Sequence, residues 1–179
     1  MWERWNVKLL EQLKEYHLEQ YAHVKRTAHL CVLIGVELGL CTQQLQDLKI
    51  VGLYHDIGKL RIPLEILSKV GDLTENEYTV IKLHSLYSIS LLDTNNMDIR
   101  EAILYHHENL DGSGYFGMIG MQLGLYQRII HVADVYEALT AERCYKKAWS
   151  KEEAYQYLVD HIGTMFDELV VKALRAIIF

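Results

Sequence analysis

The 179-residue sequence contains one proline, Pro63, and its glycines concentrate between Gly112 and Gly124, so little interrupts the chain and most of it is free to be helical. Cysteine is scarce as well. Cys31, Cys41 and Cys144 are odd in number and show no CxxC spacing, so neither a disulfide framework nor a zinc ribbon is suggested, and Cys31, inside an apolar run, reads as core. No apolar stretch approaches the ~18–20 residues that cross a bilayer. Met1 leads into Trp2-Glu3-Arg4-Trp5 rather than a basic-then-apolar leader, so the expected location is the cytoplasm. An excess of positive charge is also missing: 18 Lys+Arg stand against 24 Asp+Glu, a net charge of −6. That argues against sequence-independent binding to duplex nucleic acid, which needs a basic face to displace counterions, but not against a small anion held by metal ions.

What is present describes one globular domain over residues 1–179, with 50% hydrophobic and 23% charged residues. Histidine stands out. There are nine, His17, His23, His29, His55, His84, His106, His107, His131 and His161, about twice the share expected from ordinary composition.

The apolar periodicity predicts helices over about 2–20, 22–38, 43–58, 75–92, 97–107, 124–140, 151–161 and 167–177, with an irregular loop over 108–123. Two capping boxes, Thr74…Glu77 and Ser150…Glu153, mark helix starts, because the hydroxyl accepts from the N3 amide while the glutamate reaches back to the N-cap amide. Thr42 is a plainer N-cap candidate. In the first helix Trp2, Trp5, Leu9, Leu13 and Tyr16 form a stripe of helical period, which either packs on its own domain or forms a homodimer seam. No strand-period alternation, internal repeat or linker is evident.

The histidines and aspartates carry the chemistry. His55-Asp56 ends an apolar helix whose face runs through Leu45, Leu48 and Gly52. Adjacent helical side chains diverge by about 100°, so the two approach an ion from different directions, and a carboxylate can bridge two ions. Read alone, the pair is also an ordinary polar helix end. His106-His107-Glu108 ends another helix just before Asp111-Gly112-Ser113-Gly114-Tyr115, and paired imidazoles there are hard to explain by packing, because their buried nitrogens need partners. Asp134 sits inside the apolar run Ile129 to Val135, where a carboxylate is costly unless paired or ligated. Lys59, one turn beyond His55, reads either as a cation for a phosphate or as a lysine favoured at a helix C-terminus.

In order along the chain, His23-Val24-Lys25-Arg26, His55-Asp56-Ile57-Gly58-Lys59, Ile62-Pro63, Gly71-Asp72-Leu73-Thr74, His84, His106-His107-Glu108, Asp111-Gly112-Ser113-Gly114-Tyr115 and Ala133-Asp134-Val135 resemble the HD-GYP family of HD-domain phosphohydrolases over residues 19–172. The resemblance implies an all-α fold, an HD-domain helical bundle with a metal centre in its core. It further implies hydrolysis of cyclic di-GMP to the linear dinucleotide, which can continue to GMP, at two or three divalent ions, iron or manganese. Carried onto this sequence, the ligands are His23, His55, Asp56, His84, His106, His107 and Asp134. Asp56 would bridge, and Glu19 would complete a third site. Asp56 and Lys59 would be catalytic, and Gly114, Tyr115, Arg143 and Lys146 would bind substrate. Asp111, grouped with them, would orient the loop. A separate sensor or regulator protein is an expected partner.

The sequence departs from the family in its loops. Phe116 replaces the proline of Gly-Tyr-Pro, and Val70, Ser85, Gly124, Cys144 and Glu168 stand at other common proline positions, so fixed φ angles are lost. Glu137 replaces a frequent aspartate and Ser88 a frequent glycine. Two readings compete with cyclic di-GMP hydrolysis: an HD phosphohydrolase acting on another cyclic dinucleotide or nucleotide, and a non-catalytic nucleotide-binding module.

Overall fold

Sparse proline and long apolar periods produce helices throughout. The structure, a computed structural model, describes residues 7–142 and 147–179. The elements are α1 (Val7–Tyr16), α2 (Leu18–Glu37), α3 (Thr42–Tyr54), a 3₁₀ turn over Ile57–Arg61, α4 (Leu64–Leu67), α5 (Glu75–Lys82), α6 (His84–Leu91), α7 (Met97–Leu104), a second 3₁₀ turn over Gly120–Gln122, α8 (Leu125–Thr140), α9 (Lys151–Asp160) and α10 (Glu168–Ile178). Among the described residues there is no strand, only two isolated bridges. No helix among them is long and apolar enough to cross a membrane.

Helices α2 and α8 form the centre: α2 packs on α1, α3, α8 and α10, and α8 packs on α3, α7, α9 and α10. Val24, Cys31 and Ile34 of α2 and Ile129, Ile130, Val132 and Ala133 of α8 are buried with Leu48, Val51, Ile103, Leu158 and Leu174. Each large aliphatic chain placed there contributes ~1.5–3 kcal/mol relative to exposure. The same two helices bury Gln20, His23, His131, Asp134 and Glu137, so the core is polar on one side by construction. Leu9 and Leu13 bury the apolar stripe of α1 within this domain, and Tyr16 donates to the carbonyl of Ile62 at 2.6 Å. Trp2 and Trp5 lie outside the described residues.

Both expected capping boxes form. Thr74 Oγ1 accepts from the Glu77 amide at 3.3 Å while Glu77 Oε2 accepts from the Thr74 amide at 2.7 Å. At α9, Ser150 and Glu153 make the same exchange at 3.1 and 2.8 Å. Thr42 is not a cap: it is the first residue of α3, Cys41 is the N-cap, and the Cys41 amide donates to Gln44 Oε1 at 3.0 Å. The break between the first two helices falls at His17 rather than near residue 21, because His17 Nδ1 accepts from the Gln20 amide and starts α2 there.

Two of the expected helices show why some are shorter or divided. The helix expected over 43–58 ends at Tyr54 and passes into the 3₁₀ turn, and the one expected over 75–92 is interrupted at Leu83. Side chains compete with the backbone at both places. His55 Nδ1 lies 2.9 Å from the Gly52 carbonyl and His84 Nδ1 2.6 Å from the Ile81 carbonyl, while Ser85 Oγ donates to the Lys82 carbonyl at 3.2 Å. Acceptors that would continue the ladder are thereby taken.

The α5 box gives a pH signature. Lys69 Nζ, 2.6 Å away, and then the Thr74 amide hold the Glu77 carboxyl at about 2, below its ordinary 4.5. A depressed carboxyl adds stability above its unfolded pKa and loses it as pH falls through the folded one. In urea unfolding, Glu77→Gln should be less stable than the natural chain at pH 7, with the difference closing between pH about 4.5 and about 2. A difference unchanged over that range would contradict this.

Candidate metal centre

The helix ends that interrupt the ladders also aim the imidazoles. His55, His84 and His106 each place Nδ1 against the carbonyl three residues earlier, at 2.9, 2.6 and 2.7 Å, so each Nδ1 donates and each Nε2 carries a lone pair. His23, in the middle of α2, has its Nδ1 on the Glu137 carboxylate instead. All four Nε2 atoms therefore turn to a common centre. His84 Nε2 and His106 Nε2 lie 3.2 Å apart, a lone-pair contact that a cation between them would relieve.

Two carboxylates complete the centre. Asp56 Oδ2 lies 3.5 Å from His23 Nε2 and 3.4 Å from His55 Nε2, whereas its Oδ1 lies 3.2 Å from His84 Nε2 and 3.9 Å from His106 Nε2. Asp134 Oδ1 sits 3.0 Å from His23 Nε2 and 3.6 Å from His55 Nε2, with Oδ2 4.0 Å from His107 Nδ1. Two groups of converging donors result, Asp56 with His84, His106 and His107, and His23 with His55 and Asp134; within each, the ligand atoms lie within 4.8 Å of one another. Asp56 touches both.

The donors fit metal ions. His55 Nε2 and Asp56 Oδ1 are buried without a hydrogen-bond partner, which is costly unless an ion meets them. Protons are divided unevenly across the centre. Burial would lower His23 and His55, but Asp134 and Asp56 outweigh it, together with Glu137 for His23, raising His23 well above its ordinary value and His55 to about 9. Burial holds His107 at about 3 and, with the neighbouring imidazoles, His106 well below its usual range. The donor set is nitrogen and oxygen throughout, unlike the thiolate-rich set of a structural zinc site.

Of the other expected residues, Lys59 Nζ donates to Asp56 Oδ2 at 2.5 Å and to Gln20 Oε1 at 3.1 Å. Glu19 lies half-buried on α2 one turn before His23, outside both donor groups. Tyr115 lies over His107, ring centroids 4.6 Å apart. His107 is 26% exposed, whereas His23, His55, His84 and His106 are 0–4% exposed, so the centre opens on the His107 and Tyr115 side. Asp111 Oδ1 accepts from the Ser113 amide and hydroxyl at 2.9 and 2.6 Å and organises the loop. Arg143 and Lys146 lie outside the described residues.

Several supporting residues carried no role in the sequence reading. Glu108, 2% exposed, accepts from the Phe116 and Met118 amides, both at 2.7 Å, and so fastens the loop bearing Tyr115. A proline at 116 has no amide to donate. The φ restraint lost with Phe116 is thus replaced by a buried charge-assisted bond. Gly114 is required there, since a Cβ would come within 2.5 Å of Glu108 Cα. Ser88 Oγ donates to the His55 carbonyl at 2.7 Å and accepts from the Gly58 amide at 2.8 Å, tying α6 to the turn. Gly58 allows this approach, because its Cβ would fall 2.0 Å from the His84 carbonyl. His131, held neutral by burial at about 4, rests 3.0 Å from the His106 carbonyl.

Glu137 also accepts from Arg26 Nε at 2.5 Å, so a guanidinium and the His23 imidazole share one carboxylate. Outer partners of this kind tune ligand basicity and are typically worth 10–100-fold in metal affinity. Glu137→Gln should therefore release metal to a competing chelator roughly 10–100-fold more readily, with helical content unchanged by circular dichroism. Equal retention would assign Glu137 to packing alone.

Known proteins share the sequence and the fold. The HD domain family matches residues 8–170. The chain is 39% identical over 158 residues to the cyclic di-GMP phosphodiesterase response regulator RpfG of Xanthomonas campestris, covering 86% of this chain and 42% of that protein. It is 42% identical over 137 residues to the 3'3'-cGAMP-specific phosphodiesterase 1 of Vibrio cholerae, covering 74% of this chain and 32% of that one. The chain thus spans less than half the length of these curated relatives. The HD domain of the L. monocytogenes phosphodiesterase PgpH, solved with cyclic-di-AMP, shares the fold with a TM-score of 0.68 at 18% identity, covering 95% of this chain and 94% of that one. The helical bundle, the paired donor groups and the family match together establish that the chain belongs to the HD-domain family, and within it to the HD-GYP type.

Proposed function

We propose that this domain is a metal-dependent phosphodiesterase that opens cyclic di-GMP to the linear dinucleotide, working in the cytoplasm. The observation that carries the reading is Asp56, whose two oxygens face two separate groups of imidazoles. The similarity to RpfG supports the substrate. The ligands in this reading are His23, His55, Asp56, Asp134, His84, His106 and His107, with Glu19 completing a third site.

Hydrolysis adds the hydroxyl of water to phosphorus, breaks one bond from phosphorus to a ribose oxygen, and leaves the proton on that oxygen. Bound iron or manganese ions would supply a nucleophilic water at neutral pH and neutralise the non-bridging oxygens. The chain supplies position and charge. Asp56 and Asp134 fix the donor groups side by side, and the Nδ1 bonds of His55, His84 and His106 keep every Nε2 aimed inward. The Lys59 ammonium, anchored by Asp56 and Gln20, stands as a point charge for a phosphate oxygen. Tyr115 covers the open side and positions the substrate.

Cyclic GMP-AMP is the second reading, favoured by the 42% identity to the Vibrio cholerae enzyme. Both are tested at once by purifying the protein without oxygen, counting iron and manganese per chain, and following each dinucleotide by chromatography. Two or more ions with linear product from cyclic di-GMP are expected. His55→Ala combined with Asp56→Ala should lose both ions and turnover. A fully loaded protein that cleaves neither dinucleotide would overturn the proposal, and cleavage of cyclic GMP-AMP alone would install the second reading.

A further inference from the structure

Beside the open side of the centre lies a cation that the metal ligands do not use. Lys82, the last residue of α5 and two positions before His84, is half-buried. Its Nζ lies 4.7 Å from the centroid of the Tyr78 ring and 5.1 Å from that of Tyr115. The two rings meet edge to face with centroids 6.2 Å apart, and Tyr115 continues onto His107 at 4.6 Å and His84 at 6.3 Å. Lys82 is thus one ring removed from two metal-ligating imidazoles.

Like Lys14 and Lys25 over Tyr21, it is partnered by rings, but here the rings lead to the centre. Lys59, Lys69, Arg26 and Arg128 are each held by a carboxylate, whereas among the described residues no carboxylate lies within 4.0 Å of Lys82. Ring faces attract an ammonium through their quadrupole and order it without neutralising its charge. An ordered, partly desolvated and unneutralised cation next to an opening is a ready contact for an anion. A cyclic dinucleotide carries two phosphodiesters. The centre can engage the one that is cut, and the other remains an anion that needs a counter-charge nearby.

We propose that Lys82 is a specificity-determining residue that binds the phosphodiester not being cut, while Tyr78 and Tyr115 offer an aromatic surface to a base. The inference rests on the cyclic-dinucleotide reading above. A base stacks on an aromatic face whatever its identity, so the subsite selects for two linked nucleotides more than for guanine.

The test uses the metal-loaded full chain and its Lys82→Met, Lys82→Arg and Tyr78→Leu variants, with kcat, KM and equilibrium binding of cyclic di-GMP measured alongside metal content. Lys82→Met should raise KM and the dissociation constant about tenfold, with kcat within about twofold and metal content unchanged, because the lost contact is made equally in ground and transition states. Lys82→Arg should restore most of the loss, and Tyr78→Leu should fall between. Loss of kcat without a change in KM, or equal damage from Met and Arg, would overturn the proposal by reducing Lys82 to a prop for the tyrosines. Turnover unaffected by Lys82→Met would refute this subsite and leave hydrolysis standing. Binding without turnover, weakened tenfold by Lys82→Met, would refute hydrolysis and keep the subsite. A chain that neither binds nor cleaves the dinucleotide would refute both.

Discussion

Everything at the centre depends on one repeated hydrogen bond, from an imidazole Nδ1 to the carbonyl three residues earlier. It occurs at His55, His84 and His106. A single interaction thereby does two things: it takes an acceptor the helix would otherwise use, helping to end or interrupt the helix, and it fixes the tautomer so that Nε2 points away from its own backbone with its lone pair free to accept. The ends of α3 and α7 and the break before α6 are therefore parts of the site. Bringing three such ends together leaves lone pairs crowded around Asp56, an arrangement that needs positive charge, supplied by protons on His23 and His55 or by metal ions.

The scaffold around that charge is built to hold it from outside. Glu137 steadies His23 and is steadied by Arg26, Ser88 links the His55 carbonyl to the Gly58 amide, and His131 meets the His106 carbonyl. Glu108 performs the same service for the covering loop, through two backbone amides that include that of Phe116. The loop is therefore fixed by a buried carboxylate where the family signature uses a ring, and the absence of proline at 116 does not leave Tyr115 unplaced.

The convergence of donors was legible in the sequence where they occur as dipeptides at helix ends, His55-Asp56 and His106-His107, and where a carboxylate in an apolar run, Asp134, demands a partner. The supporting contacts were not. His23 and Glu137 are 114 residues apart, and Arg26 and Glu137 are 111 apart, so no local spacing relates them. The interruption at Leu83 carries no glycine or proline, and it follows from side-chain competition by His84 and Ser85 that periodicity does not register. The spacing of Tyr78 and Lys82, i and i+4, is that of any helix face, and only Tyr115, from a distant loop, joins the pair to the centre. Helix starts with a capping box were read correctly at Thr74 and Ser150, where the two interacting residues are three apart, and misread at Thr42, where the box belongs to Cys41 and Gln44.

The central claim is that Asp56 joins two cation sites. The most direct measurement is anomalous diffraction from crystals grown without oxygen, recorded at the iron and manganese absorption edges. At least two peaks are expected, one among Asp56, His84, His106 and His107 and another among Asp56, His23, His55 and Asp134. A single peak that Asp56 does not touch, or no peak in a protein that turns over cyclic di-GMP, would contradict it.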